Sequence, residues 1–327
     1  MACTILALLS NDDRPKISSM MGGMNVHLDI LFDDGTVWLA CIHCTTAVTP
    51  PRDVQDCILR SEYATLSWLR RIGFPAPAAY GYGLTAEPNI AGVNYIIMDK
   101  LEASPLHWSS LSSDQRNHIL HQLAETYLTL ELHSFDQAGS IYPQDTIGAF
   151  ADSVAYEVND HQIQLLGPFD TLRKYLDHTI HLYLHLIEAS EWAVDDPIPI
   201  LTSLKNHSTV IDFIYAIRMT RAIIYLSMIN LAFLEDSNEL SQEEEDLAAI
   251  FESLERSDMA GCIQNGRIFH QITFLLDTGD RIDDCKAHLK GFYKFLGEQN
   301  WEWETWHSSA LEMYYGDPIL QLLMARV

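Results

Sequence analysis

Arg218 and Arg221 stand three residues apart in a stretch that is mostly apolar, from Ile211 to Leu234. On a helix that spacing puts both guanidinium groups on one side, with Tyr225 one turn further on. A guanidinium buried among apolar groups requires an anion, and its planar fork fits phosphate or carboxylate oxygens. Pairing with surface carboxylates would satisfy the same two arginines. Asp212, Tyr215, Met219, Leu226 and Asn230 form a second stripe on that helix. A second polar knot, Asn265-Gly-Arg-Ile-Phe-His-Gln271, precedes an apolar run from Ile272 to Leu276. It reads either as an anion site or as a helix-start turn. Asp177, His181 and His185 recur every four residues, a spacing that suits a divalent metal. Arg173, Lys174 and Glu188 mark that helix as a solvated face instead.

Other chemistries lack their patterns. Cys41-Ile-His-Cys44 is a C-x-x-C, but in a strand the odd offset sends the two thiols to opposite faces, and no second C-x-x-C exists to complete a zinc site. No G-x-S-x-G occurs. D-D-x-x-D/E is absent: Asp195-Asp196 runs into Pro197 and Asp283-Asp284 into Cys285-Lys286. Glu235-Asp-Ser-Asn-Glu239 imitates the spacing but leads into Ser241-Gln-Glu-Glu244, a capping box. Asn117, His121 and Glu125 only approximate an N-x-x-x-S-x-x-x-E triad. The tryptophans of Trp301-Glu-Trp-Glu-Thr-Trp306 suit core packing better than a cation cage.

The elements that position these residues change character along the chain. Asn25 to Phe32 alternates, Asp33-Asp-Gly35 turns, and Thr36 to His43 returns, a hairpin signature. Pro50-Pro51 interrupts, and Ile58, Leu59, Tyr63, Leu66 and Leu69 then recur at helical spacing to about Arg71. Tyr80 to Gly83 and Asn94 to Met98 read as two more strands. From Ser112 onward helices dominate, over about 114–134, 170–192, 208–234, 241–256, 284–297 and 305–314. The predicted organisation is α+β: a small antiparallel β-rich lobe over 1–100 and a larger helical lobe over 101–327.

Composition narrows the partners. Of 327 residues, 45 are acidic and 20 basic, a formal charge of −25. That balance argues against nucleic acid, whose phosphates demand clustered Lys and Arg, and against docking on anionic membranes. The opening Met1–Lys16 has no basic leader and is cut by Asn11, Asp12 and Asp13, so neither a secretory signal nor a membrane anchor is expected. Six cysteines at this length predict a reducing, cytoplasmic setting.

The order of words in the chain resembles the fungal aminoglycoside phosphotransferase-like family of the protein-kinase-like superfamily. The matching stretches are Gly22-Gly-Met-Asn-Val-His-Leu28, Phe32-Asp-Asp-Gly-Thr-Val-Trp-Leu39, Ser61-Glu-Tyr-Ala-Thr-Leu66, Pro75-Ala-Pro-Ala-Ala-Tyr80 and Tyr95-Ile-Ile-Met-Asp99. They continue with Gly167-Pro-Phe169, Ser237-Asn-Glu-Leu-Ser241, Asn265-Gly-Arg267 and a closing helix from Trp306 to Tyr314. The resemblance implies a kinase-like fold with Gly22 and Gly23 at the phosphate turn, Glu62 as the helix glutamate and Tyr95–Lys100 as the connector. Cys41 falls where the family carries Lys or Arg. The family's H-x-D loop and I-D-W segment are due between Leu204 and Leu234, where Ile211-Asp-Phe213 is the nearest echo. Phosphoryl transfer depends on those groups.

More weakly, the chain resembles the atypical fungal sesquiterpene cyclases of humulene and brasilane type. That resemblance implies ionisation of farnesyl diphosphate with Mg²⁺ and release of diphosphate. Arg218, Arg221 and Arg267 are then expected to hold the diphosphate, and Asp212 with Asn230 or Asn265 to hold Mg²⁺. Tyr215, Tyr225, Phe233 and Phe269 are expected as walls of a carbocation cavity. The expectation carried forward is a Mg-dependent sesquiterpene cyclase, a lyase acting on a prenyl diphosphate. The alternative is a non-catalytic, pseudokinase-type binding protein or a divergent small-molecule phosphotransferase.

Overall fold

The structure is a computed structural model. It describes residues 25–45, 49–89, 91–103, 106–152, 156–159, 162–171, 239–267, 282–295 and 297–318, together with single positions between 173 and 185 and at 320, 321 and 325. The chain divides into two compact units: residues 1–107 with 129–171, and residues 108–128 with 172–327. The architecture is the expected one, a small antiparallel sheet with a helix followed by a larger helical region.

In the first unit, β1 (Asn25–Leu31) and β2 (Val37–His43) form the hairpin. Its turn closes through Phe32 N–H donating to the Thr36 carbonyl at 2.9 Å and Thr36 N–H donating to Asp34 Oδ1 at 2.9 Å. Gly35 takes φ +84°, a conformation that glycine enters without steric cost. Helix α1 (Arg52–Arg71) starts after Pro51 and ends with Arg70 and Arg71 in its last turn, where cations suit the dipole. Strands β3 (Ala79–Gly83) and β4 (Tyr95–Asp99) complete a four-stranded sheet in the order β1-β2-β4-β3, antiparallel throughout.

Leu59, Tyr63 and Leu66 of α1 pack on Leu84, Ile96, Ala79, Tyr82 and Met98. Leu59, Leu84 and Ile96 are fully buried, and each such side chain contributes about 1.5–3 kcal/mol. Asn94 ties the strand ends together. Its Oδ1 accepts from Thr85 N–H at 2.7 Å, and its carbonyl accepts from His43 N–H at 3.1 Å.

Two further hairpins belong to this unit: β5 (Ser140–Tyr142) with β6 (Thr146–Gly148), and β7 (Tyr156–Asn159) with β8 (Gln162–Leu165). The sequence reading contains none of the four. Arg71 at the end of α1 pairs with Asp145 between β5 and β6.

The second unit holds most of α2 (Ser113–Glu131), together with α3 (Gln242–Ser253), α4 (Ser257–Gln264), α5 (Ile282–Phe295) and α6 (Trp303–Met313). One core joins Leu120 and Ala124 of α2 to Leu247, Ala248, Ile250 and Phe251 of α3 and to Met259, Ala260 and Ile263 of α4. A second, aromatic cluster packs Trp301 and Leu289 against Tyr293, Trp303 and Trp306. Tyr293 and Trp301 stack with centroids 5.8 Å apart, and Trp306 Nε1–H donates to the Tyr293 hydroxyl at 2.9 Å. These rings fill one another's contact space, which is the core packing expected of the tryptophan cluster. Among the described residues no helix is long and apolar enough to cross a membrane.

Candidate functional site

Register decides which side chains share a face. His27 stands opposite Cys41, Cys41 opposite Ile96, and Asn25 opposite His43. Opposed residues of an antiparallel pair project to the same side, and alternate residues along a strand do too. Asn25, His27 and Asp29 of β1 therefore share a face with Leu39, Cys41 and His43 of β2 and with Ile96 and Met98 of β4. That is the face on which α1 packs.

The face is divided. Its β3–β4 half is apolar and lies under α1. Its β1–β2 half carries Asn25, His27, Asp29, Leu39, Cys41 and His43, and among these only Cys41 is buried, the others being partly exposed. The opposite face of β1 and β2 is apolar, with Val26, Leu28 and Ile30 alongside Trp38, Ala40 and Ile42.

Two contacts between basic and acidic side chains bound the polar half. His43 Nε2 lies 3.2 Å from Glu62 Oε2, with side-chain exposures of 20% and 38%. Lys100 Nζ lies 2.5 Å from Asp29 Oδ2. Burial pushes the Cys41 thiol up to about 11, with Glu62 and Cys44 adding to the rise. Cys41 is therefore a neutral thiol at pH 7 and no nucleophile.

Glu62 thus stands on α1 as expected, and its basic partner in β2 is a histidine. The sequence reading placed Cys41 where the family carries Lys or Arg and did not single out His43. Period-2 alternation held the signal, since residues 41 and 43 face the same way.

The expected diphosphate site distributes differently. Arg218, Arg221, Tyr215, Tyr225, Phe233, Phe269, Asp212 and Asn230 lie outside the described residues. Asn265 is an exposed residue at the end of α4, and its Nδ2–H donates to the Gly261 carbonyl at 2.6 Å. Arg267 is buried. Its Nε–H donates to Glu244 Oε1 at 3.0 Å and its Nη2–H to Glu244 Oε2 at 2.6 Å. Glu244 is fully buried and also closes the capping box of α3, where Ser241 N–H donates to Oε2 at 2.7 Å. Of the Asn265–Arg267 knot, Arg267 lies in the interior, where it already has its anion. Asp177 pairs with Arg173 at 3.8 Å, and among the described residues no cluster of metal-binding side chains forms.

No protein-family model matches the chain. A stretch of 85 residues is 35% identical to subtelomeric hrmA-associated cluster proteins of two Aspergillus fumigatus strains, covering 25% of this chain. The chain spans about 16% of the length of these curated relatives. Among solved structures it is similar to a candidate fructosamine-3-kinase from Thermobifida fusca, at 12% identity and TM-score 0.49, covering 83% of this chain and 91% of that one. The expectation of a terpene cyclase, a carbon–oxygen lyase acting on farnesyl diphosphate, is corrected. Arg267, one of three expected diphosphate holders, is committed to Glu244.

Proposed function

We propose that this chain is a kinase-like ligand-binding protein that receives the phosphate group of a nucleotide on the open, β1–β2 half of the first unit's sheet. The observation that carries the reading is the His43–Glu62 pair. A cation on the second strand held by a helix carboxylate is the arrangement that kinase-like folds use to engage phosphates. Here the side chain that faces the helix carboxylate is an imidazole. Binding without phosphoryl transfer follows from the sequence between Leu204 and Leu234. That stretch offers no H-x-D for the attacking group and no I-D-W for a metal.

The test is thermal unfolding of the full chain with ATP, ADP or inorganic pyrophosphate, each with and without Mg²⁺. A ligand at a hundredfold excess over its Kd contributes about 2.7 kcal/mol. The expected result is a rise in Tm with ATP and ADP that His43→Ala abolishes. No rise with any of the three removes the reading. Transfer of the γ-phosphate to small amines or alcohols removes its non-catalytic part and establishes a divergent small-molecule phosphotransferase.

A further inference from the structure

We infer that the face of the four-stranded sheet turned away from α1 docks a basic amphipathic helix of another protein. The inference is independent of the phosphate-binding reading, which uses the other face. Register places Leu28, Ala40, Ile97 and Gly81 in one row across this face. On one side of the row stand large rings. Trp38 stacks on Tyr80 with centroids 4.0 Å apart, and Phe32 meets Trp38 edge-on at 4.5 Å. On the other side the Tyr95 ring lies against Gly83, in the room that a side chain there would take. Between these walls Ala40 and Gly81 keep the floor low. The space above Gly81 is open: a Cβ there would meet nothing within 4 Å.

The four residues of the floor are all partly exposed. Tyr80 is 41% exposed and Leu31, at the end of β1, 50%. Contiguous apolar surface left open in this way marks an interaction face, and Trp and Tyr are the side chains that anchor partners. Along β2 the walls are four residues apart, from Trp38 to Ile42 opposite Tyr95, which is about 13 Å at roughly 3.3 Å per residue. One helix, about 10 Å across with its side chains, fits that gap.

Charge selects the occupant. Asp99 stands opposite Trp38 and accepts from the Tyr80 hydroxyl at 2.5 Å. Asp33 and Asp34, both exposed, follow Phe32 directly. Arg70, whose field reaches Tyr80, offsets part of this negative charge. The chain as a whole carries −25. A second copy brings another −25 to the same face and is repelled, whereas Lys and Arg flanking an apolar stripe are drawn in.

Fluorescence anisotropy tests the inference, with the full chain titrated into a labelled Leu/Lys peptide of helical period, about four turns long, at about 0.15 M salt. Two control peptides keep the pattern, one with Glu for Lys and one with Ser for Leu. The Leu/Lys peptide is expected to bind at least roughly tenfold more tightly than either control. Gly81→Val fills the floor at a position whose backbone is open to other residues. It is expected to weaken binding by roughly tenfold while thermal unfolding stays that of wild type. Trp38→Leu is expected to weaken it too. Equal binding of the Leu/Lys peptide and either control overturns the inference, as does binding that neither variant weakens. A wild-type chain that leaves the Leu/Lys peptide free also overturns it. Sedimentation equilibrium then separates a face closed by a second copy, seen as a concentration-dependent dimer, from one covered within a monomer.

Discussion

The two acid–base pairs described above, Glu244–Arg267 in the second unit and Glu62–His43 in the first, contrast in what surrounds them. Glu244 and Arg267 have side-chain exposures of 0% and 6%. Their oxygens and nitrogens face one another in a fork, and the carboxylate accepts a further hydrogen bond from Ser241 N–H. The mutual attraction and these hydrogen bonds offset the desolvation of both ions. Glu62 and His43 meet through one contact, at an edge open to solvent, and the ring keeps a second nitrogen uncommitted to the carboxylate. A buried pair joined by several hydrogen bonds is structure. A half-open pair with capacity left over is where a ligand can compete.

The comparison breaks most visibly at Arg267. Arg267→Ala is expected to destabilise the protein by about 3–5 kcal/mol, because it leaves Glu244 charged, buried and without its guanidinium. Urea unfolding followed by far-UV circular dichroism checks this; a loss below about 1 kcal/mol would return Arg267 to the list of available cations.

Ser241→Ala removes the hydroxyl that accepts from Glu244 N–H at 3.3 Å, and is expected to cost about 1 kcal/mol. The same unfolding experiment reads it.

Glu62→Gln is expected to change stability by less than about 1 kcal/mol, as half-exposed pairs do, while Mg-ATP affinity falls in calorimetry. A large stability loss with unchanged affinity would invert the roles assigned to the two pairs.

The smallest expected effect is at Asp258, whose carboxyl the Arg256 guanidinium holds at about 2, below the ordinary 3.8. A depressed carboxylate contributes stability that is complete above pH 3.8 and lost as pH falls toward 2. Since Asp258 is exposed, Asp258→Asn should flatten that acid limb by no more than about 0.5 kcal/mol.

The fold was legible where local rules and packing agree. The β1–β2 hairpin announces itself in Asp33-Asp34-Gly35, and α1 in an apolar stripe whose Leu59, Tyr63 and Leu66 do pack on the sheet. Strands β5 to β8 were not legible. Each is three or four residues long, too short for alternation to register, and each is defined by pairing across a turn. Helix α4 is only two turns long and follows α3 through Glu255 at φ +59°, where no glycine flags the break.

Glu62 was legible in the sequence as a residue of α1; its contact with His43 was not. Glu62 follows from helical position. His43 follows from strand parity, a signal masked by fixing on one residue of the pair. The capping box of Ser241 and Glu244 was visible, but such glutamates ordinarily face solvent. Nothing local reveals that this one meets an arginine twenty-three residues away in the core.

A single oxygen, Glu244 Oε2, accepts from both the Ser241 backbone at the start of α3 and the Arg267 guanidinium beyond the end of α4. Fraying of the first turn of α3 therefore moves the carboxylate that holds a buried cation beyond the end of α4. The two ends are therefore coupled: amide hydrogens around Ser241–Glu245 and around Ile263–Arg267 are expected to exchange with solvent in one concerted opening rather than two local ones.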